Sequence, residues 1–231
     1  MKTKKGKKIY DGFEEKELSN IWSRRRFEKR AIEIQSKKFR KGKSAVKIIL
    51  RTGDKKEKCV GCKTSERDEL LEKDYLWITQ NQPYSYSFSL FLPKNFPIVP
   101  TRLVLAQWKQ REGKNKVKVN NPLIALRFEK KKLRVTLQTT KEKEILFATK
   151  EEIRGRWTDF KFHINFTGSK NGFLKVWINK KRVVEYYGKT AYPKSYNHLW
   201  PPKFLFKMGL YRDRMKKPMT AYFDEYKKEK L

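Results

Sequence analysis

Three short stretches of the chain carry side chains that could bind an anion and move protons. They are SERDEL at 65–70, LAQWK at 105–109 and FKMGLYR at 206–212. Arg67 offers a forked cationic donor and Gln107 an amide donor, and both suit an acid group. Tyr211 and Lys109 can exchange protons when their surroundings lower their pKa. The stretches therefore predict an anion-binding site with acid–base chemistry, provided that the fold brings them together.

The spacing within two of the stretches favours such a meeting. Side chains two residues apart point the same way along a strand, which aligns Gln107 with Lys109, and Lys207 with Tyr211. If these strands line one concave sheet, the four side chains converge with Arg67. Taken singly, each has an ordinary explanation, such as a surface ion pair for Arg67 or a half-buried strand aromatic for Tyr211. Only the ordered set favours a functional site.

The elements that must position these side chains are predicted to be short strands. Segments rich in Val, Ile, Phe, Tyr and Trp alternate with turn signals, a spacing typical of an antiparallel β-sandwich. The predicted strands are 31–35, 45–51, 75–79, 84–92, 102–109, 123–128, 133–138, 145–148, 159–166, 173–179, 182–187, 204–212 and 221–226. One short helix is predicted at 13–26. We therefore expect an all-β chain with a basic tail at 1–9 and a single domain at 10–231.

Two of the predicted strands place further candidates on a solvent-facing side. His163 lies opposite the phenylalanines of its strand, and Lys175 and Trp177 lie opposite Leu174 and Val176. A tryptophan among lysines and asparagines resembles a sugar-binding surface, although it could equally pack under a loop. His163 is also a candidate imidazole base, although a strand histidine is more often structural.

The charge of the chain points to a polyanionic partner. Lys and Arg number 58 against 25 Asp and Glu, a formal net charge of +33. Folding does not require this excess, so nucleic acid, an anionic membrane or an acidic glycan is implied. The sequence has no Gly-rich phosphate loop, zinc-finger spacing or RNP-type motif, and no apolar run long enough to cross a membrane. We therefore expect neither nucleic acid nor a membrane as the partner, but the charge alone does not separate them from an acidic glycan.

The three stretches also resemble known motifs. In order, they resemble the R-x-E-L, Q-x-H and F-K-x-G-x-Y motifs of the jelly-roll polysaccharide lyases, which include alginate lyases, heparin lyase I-like enzymes and glucuronan lyases. The stretches 121–127, 157–163 and 172–179 look most like the glucuronan lyase and heparin-lyase-type family, so the resemblance covers residues 65–225. It implies a β-jelly roll, a concanavalin A-like sandwich of two antiparallel sheets with a concave substrate cleft. It also implies β-elimination on a uronate-containing polysaccharide of the glucuronan, alginate or heparin type.

The resemblance suggests roles for the residues at the motif positions. Arg67 and Gln107 would neutralise the uronate carboxylate, and Tyr211 would be the acid, or both acid and base for some substrates. The family motif often has His where this chain has Lys109, so the base could be Lys109, His163 or Tyr211. The expected substrate-binding residues are Lys207, Trp177, Lys175, Arg127 and Asn121.

The departure at Lys109 leaves an alternative open, a non-catalytic lectin-like binder of acidic polysaccharide on the same fold. We expect a monomer without a cofactor or metal; a structural calcium ion would be compatible with the fold, but no ligand cluster indicates one. Cys59 and Cys62 predict a local disulfide or two loop thiols, because a structural zinc needs four ligands. The substrate suggests a secreted or surface-associated protein, although the N-terminus lacks the apolar run of a signal peptide.

Overall fold

The computed structural model describes residues 8–56 and 64–231. Cys59 and Cys62, with the disulfide or thiols predicted there, lie outside the described residues, as do residues 1–7 of the predicted tail. The described part contains three single-turn 3-10 helices, Lys29–Ala31, Asp74–Leu76 and Lys194–Tyr196, and no α-helix. None of its helices has the length and hydrophobicity that crossing a membrane requires.

Sixteen strands make up almost all of the regular structure in residues 8–56 and 64–231. In chain order they are β1 Ile9–Asp11, β2 Trp22–Ser23, β3 Ile32–Gln35, β4 Ala45–Leu50, β5 Ser65–Glu72, β6 Ile78–Thr79, β7 Pro83–Phe91, β8 Leu103–Gln110, β9 Ile124–Glu129, β10 Lys132–Leu137, β11 Glu144–Thr149, β12 Trp157–Asn165, β13 Phe173–Ile178, β14 Lys181–Tyr187, β15 Lys203–Asp213 and β16 Met219–Lys230.

The strands form two antiparallel sheets of eight. Sheet A has the order β14-β13-β12-β7-β16-β4-β3, with β1 paired to β16. Sheet B has the order β11-β10-β9-β8-β15-β5-β2, with β6 paired to β15. The two sheets pack face to face around one apolar core, so the predicted all-β sandwich is confirmed.

The core lies between the sheets because strands of both sheets alternate apolar and polar residues. Phe160, Phe162 and Ile164 of β12 are buried, while the residues between them face outward. The ring of Trp108 on β8 in sheet B lies 4.5 Å from Phe162 in sheet A and 4.9 Å from Phe206 of β15. These contacts fix the two sheets against each other and hold β8 and β15 side by side.

Strand β5 is buried along its whole length although its sequence is SERDELLE. Buried charges are tolerated when they are paired. Glu66 accepts from Arg212 of β15 at 3.1 Å, and Glu72 accepts from Lys228 of β16 at 3.0 Å. These partners are distant in sequence, so a strand without apolar alternation is still held inside the sandwich.

Two predictions of local structure are wrong. The predicted helix at 13–26 is irregular chain with the two-residue strand β2, where the indole of the buried Trp22 donates to Asp11 at 2.7 Å. The predicted strand at 75–79 is instead the 3-10 turn Asp74–Leu76 followed by the short β6. In both segments, tertiary packing outweighs the local pattern of apolar residues.

Candidate active site

A pocket of about 590 Å³ opens on the outer face of sheet B. Its walls come from β5, β8, β9 and β15, from the chain at residue 26, and from the segment 112–122 between β8 and β9. The cationic residues lining it are Arg26, Arg67, Arg102, Lys109, Arg127 and Lys207, whereas Glu112 is the carboxylate among the lining residues. Such a set of side chains creates a positive field that favours an anionic ligand.

Backbone pairing brings the predicted residues to one face. Tyr211 of β15 lies directly opposite Arg67 of β5, and Arg127 of β9 follows in the same row across β8. Lys207 of β15 lies directly opposite Gln107 of β8. Residues paired across neighbouring strands point to the same side of a sheet. Three motifs that are far apart in sequence thus meet in one pocket.

The glycine of the third motif allows two of these strands to come close. Gly209 has a φ of +146°, a region that side chains other than glycine rarely adopt. A Cβ atom at this position would lie 2.3 Å from the carbonyl oxygen of Asp68 and 2.7 Å from the Cα atom of Glu69. Glycine is therefore required between Lys207 and Tyr211 for β15 to pair with β5.

Two guanidinium groups contact the ring of Tyr211. The Arg67 guanidinium is 4.1 Å from the centroid of its ring, and that of Arg102 is 4.8 Å away. Arg102 is in turn paired with Asp213 on β15. Cations over a phenol ring hold the ring by cation–π attraction, so the hydroxyl of Tyr211 is kept beside a concentration of positive charge.

Glu69 lies beneath the pocket and joins two of the predicted residues. It is 1% exposed, and its carboxylate accepts from the Arg67 guanidinium at 3.2 Å and from the amide nitrogen of Gln107. A carboxylate with two donors fixes both rotamers. Arg67 and Gln107 are thereby oriented together, as gripping a single acid group would require.

Lys109 is held at the rim of the pocket. Its ammonium group donates to the Asn120 side-chain oxygen at 2.5 Å and lies 3.4 Å from a carboxylate oxygen of Glu112. Burial lowers the pKa of Lys109, while the Glu112 carboxylate acts in the opposite direction. The net effect is a lowered pKa, although both partners favour the charged form of Lys109.

Lys207 lies deeper in the pocket, and its pKa is strongly lowered. It is 4% exposed, and burial together with the positive charges of Lys109 and Arg67 lowers its pKa to about 7, against the raising effect of Glu69. Among the described residues no carboxylate forms an ion pair with its ammonium group. Near neutral pH a large fraction of Lys207 is a neutral amine, which can accept a proton.

Two of the predicted binding residues also line the pocket. Arg127 is anchored by Thr136 Oγ1 at 3.3 Å and by Glu129 at 3.4 Å. Asn121 lies in the segment before β9, where its backbone carbonyl accepts from the Tyr192 hydroxyl at 3.3 Å.

Three predicted residues lie elsewhere. His163, Lys175 and Trp177 belong to β12 and β13, which are strands of sheet A, and their side chains face away from the core. The whole sandwich therefore separates them from the pocket. The expectation that His163 supplies the base, or that Lys175 and Trp177 bind substrate beside Tyr211, is corrected by this placement.

Several pocket residues were not anticipated. Arg26 ends the run of three arginines at 24–26, inside the segment predicted as a helix, and Arg102 stands just before β8. Glu112 and Asn120 lie in the lysine-rich segment between β8 and β9. The arginine run is the sequence signal for Arg26, but its distance from the motifs gives no indication that it reaches the pocket. The described residues contain no group of three or more His, Cys, Asp or Glu side chains arranged to hold a metal ion.

Comparison with known proteins gives a family and a shared fold. A family model described as polysaccharide lyase matches residues 6–227. No curated protein sequence matches the chain. Among solved structures, an endo-β-1,4-glucuronan lyase from the fungus Trichoderma reesei superposes with a TM-score of 0.72 at 16% identity, over 96% of this chain and 95% of that one.

Alginate lyases share the fold more distantly. The alginate lyase vAL-1 from a Chlorella virus gives a TM-score of 0.54 at 13% identity, over 87% of this chain and 90% of that one. The alginate lyase AlgAT5 of polysaccharide lyase family 7 gives a TM-score of 0.55 at 16% identity, over 86% of this chain and 81% of that one. At these identities the likeness establishes a shared sandwich fold.

Proposed function

The chain belongs to the polysaccharide lyase family, and on that premise we propose that it cleaves a uronate-containing polysaccharide by β-elimination in the pocket on sheet B. The observation that carries this proposal is the convergence of Arg67, Gln107, Lys207 and Tyr211 in one pocket. Together they supply the three functions that the elimination requires, which are an anion grip, a base and an acid.

The anion grip is formed by Arg67 and Gln107. The proton beside a uronate carboxylate is hardly acidic until the charge of that carboxylate is neutralised, because its removal places further negative charge on the same group. The Arg67 guanidinium and the Gln107 amide, both tied to Glu69, are pre-oriented donors for the developing charge. Lys109 and Arg127 add positive charge on either side of them.

The base is expected to be Lys207. A general base works best when its pKa is near the working pH, and the pKa of Lys207 is lowered to about 7. Lys109 remains in the pocket, but Asn120 and Glu112 favour its charged form. In the proposed step the Lys207 amine takes the proton on C5, and the electrons of that C–H bond form the C4–C5 double bond.

The acid is Tyr211. The bond between C4 and the glycosidic oxygen breaks as the double bond forms, and the Tyr211 hydroxyl gives its proton to the departing oxygen. The neighbouring Arg67 and Arg102 stabilise the phenolate that remains. The proton gained by Lys207 and the proton lost by Tyr211 balance, and no cofactor is required by this step.

Polyuronates are the proposed substrate class. The structural relatives are lyases of glucuronan and of alginate, and the six cations lining the pocket suit a polymer with a carboxylate on each successive sugar. Sulfated uronate glycans of the heparin type fit the same charge argument. A panel of polymers can distinguish them.

The test is the appearance of unsaturated uronate ends. Polyglucuronate, polymannuronate, polyguluronate and heparin are incubated with the protein, with a neutral β-glucan as the control, and the ultraviolet absorbance of the new double bond is followed. Because elimination consumes no water and leaves a double bond, each new reducing end should be matched by one absorbing unsaturated end. New reducing ends without the absorbance, or no absorbance rise on any uronate polymer, would exclude the proposed reaction.

A further inference from the structure

A row of five side chains crosses the outer face of sheet A, on the side of the sandwich opposite the pocket. In order across β1, β16, β7, β12 and β13 they are Tyr10, Lys227, Ser87, Lys161 and Trp177, each directly opposite the next in the backbone register. Neighbouring strands are about 4.8 Å apart, so the row extends roughly 19 Å across the sheet. An aromatic side chain stands at each end, a lysine follows on each side, and a serine lies in the middle.

The surface is hollowed along this row. Two adjoining hollows of about 520 and 420 Å³ share Ser87 and Asp159 in their walls and together reach from Tyr10 to Trp177. Ser87 has a small side chain and lies between Lys161 and Lys227, so the surface is recessed at the middle of the row. The result is one groove, here called the sheet A groove, long enough for an extended chain.

Trp177 is supported at one end of the groove. It is half-buried, with its ring 4.7 Å from the ring of His163 and 5.7 Å from the Lys161 ammonium. At the other end Tyr10 is 54% exposed, and its hydroxyl donates to Glu225 at 2.5 Å. Held aromatic rings beside polar groups are suited to packing against the apolar face of a sugar.

The charges of the groove favour an anion. Five cationic side chains and two carboxylates line it, and the Asp159 carboxylate is already engaged by Arg40 at 2.8 and 3.0 Å and by Ser89 at 2.7 Å. Within the described part of the chain, neither Lys161 nor Lys180 forms an ion pair. Their positive charge is therefore available to a ligand.

We propose that the sheet A groove is a second, non-catalytic binding site for a linear acidic polysaccharide. Sugar rings would pack on Trp177 and Tyr10, and carboxylates of the same strand would lie against Lys161 and Lys180. Lys227 is paired with Glu229 at 2.7 Å and adds no free charge to the row. The choice of a polyuronate as ligand rests on the proposed function, but binding in the groove requires no cleavage. A protein that grips its polymer on both faces holds a long chain near the pocket and gains affinity by multivalency.

Polymer retention tests the groove directly. Affinity electrophoresis through gels containing polyglucuronate is run in the Tyr211→Phe background, where the proposed acid is removed. Lys161→Gln and Trp177→Ala should each weaken retention about fivefold, the size expected for one ring or charge contact. The matched control is Lys170→Gln, which removes the same charge from an exposed loop outside the groove. Equal losses in Lys161→Gln and Lys170→Gln, or no loss in either groove variant, would overturn the proposal.

Kinetics with a normal Tyr211 provide the second readout. The groove variants should raise KM for long polyglucuronate but leave kcat/KM on a trisaccharide unchanged, since a trisaccharide cannot reach both faces. Equal effects on both substrates would mean that the variants disturb the pocket or the fold. If no polymer is cleaved but the groove variants still lose retention, the proposed function fails and the second site stands. Equal retention in gels of a neutral β-glucan would contradict recognition of charge.

Discussion

The phenol ring of Tyr211 lies against the guanidinium of Arg67, 4.1 Å from its carbon, and the two residues are directly paired between β15 and β5. This contact joins the proposed acid to the proposed carboxylate grip. In the proposed reaction, a uronate held by Arg67 would have its leaving oxygen near the Tyr211 side chain. The same pairing brings the first and third motifs together although about 140 residues separate them in sequence.

Removing only the hydroxyl should abolish the reaction without unfolding the site. Tyr211→Phe keeps the ring and its contacts with Arg67 and Arg102, so KM should change little, whereas kcat should fall about 10²–10⁴-fold through loss of the proton donor. The measurement is the steady-state rate of absorbance rise on the best polymer. Tyr187→Phe, at an exposed tyrosine on sheet A, is the control and should match the unmodified protein. A Tyr211→Phe protein with more than half of the normal rate would remove Tyr211 from the mechanism.

The pH dependence should report Lys207. Only its neutral amine can accept a proton, and its pKa is lowered to about 7, so kcat/KM should rise as the pH increases through about 7. Lys207→Arg, which stays charged, should lose the reaction and with it this limb of the profile. Lys109→Arg should keep the limb, because its cationic role is preserved. If the rise of kcat/KM near pH 7 disappears in Lys109→Arg but not in Lys207→Arg, the base is Lys109. If the rise persists in both variants, both proton transfers fall to Tyr211.

Replacing Lys207 should increase the stability of the fold while it removes activity. A lysine whose folded pKa lies below its unfolded value binds fewer protons when folded, so it destabilises the fold below that pKa, and the penalty disappears as the pH rises toward 10. Lys207→Met removes the buried charge and should raise the free energy of unfolding at pH 7 by about 1–3 kcal/mol while eliminating activity. Denaturant unfolding at pH 7 and pH 10 measures this, and the gain should shrink at the higher pH. An unfolding free energy lower than normal at pH 7 would contradict the assigned burial cost.

Glu69 should act as a positioning residue. Glu69→Gln replaces an acceptor for Arg67 and Gln107 by a group that also donates, so both donors lose their fixed orientation and kcat/KM should fall about 10–100-fold. In the unmodified protein the Glu69 carboxylate raises the pKa of Lys207. Its removal should lower that pKa, so the acidic limb of the pH profile should move to lower pH. Glu112→Gln, at a lining carboxylate that contacts Lys109 instead, is the control and should leave the limb in place. A lower rate with an unmoved limb would indicate structural damage only.

The sequence predicts more of the fold than of the site. Alternation of apolar residues in strands such as β12 and β13 correctly indicates a sandwich and which side chains face the core. It does not indicate which sheet a strand joins. For that reason the sequence offers His163 as a base and Trp177 as a substrate-binding residue, although both lie on the outer face of sheet A, away from Tyr211.

Strand β5 shows the second limit. Ser65–Glu72 has the composition of an exposed loop, and its strand structure depends on Arg212 and Lys228, whose partners Glu66 and Glu72 lie about 150 residues away. No local pattern reports such pairing. The sequence therefore identifies the motif containing Arg67 by the chemistry of its side chains, but does not predict that it forms a strand.

The buried carboxyl group of Asp68, next to Arg67 on β5, should give the fold a distinct pH dependence. Burial and the nearby Asp54 raise the pKa of Asp68 to about 8, while the backbone N–H of Glu28 donates to it at 2.8 Å and lowers the pKa. A folded pKa above the unfolded value means that the folded state binds more protons. The stability from this group is thus complete below about pH 4 and is lost as the pH rises through 8.

Asp68→Asn should remove this slope while keeping the size of the side chain. Between pH 5 and pH 9 the unmodified protein should lose on the order of 2 kcal/mol more unfolding free energy than the variant, because the variant has no carboxyl group to ionise in a dry environment. Asp54 should not produce the same loss of stability between these pH values in the variant. Burial acts to raise the pKa of Asp54, but the hydrogen bond from Arg30 lowers it, and the net shift is downward. Urea unfolding at both pH values measures the difference, with Asp74→Asn at an exposed turn as the control. Parallel pH dependence in Asp68→Asn and the unmodified protein would show that Asp68 is already ionised in the fold.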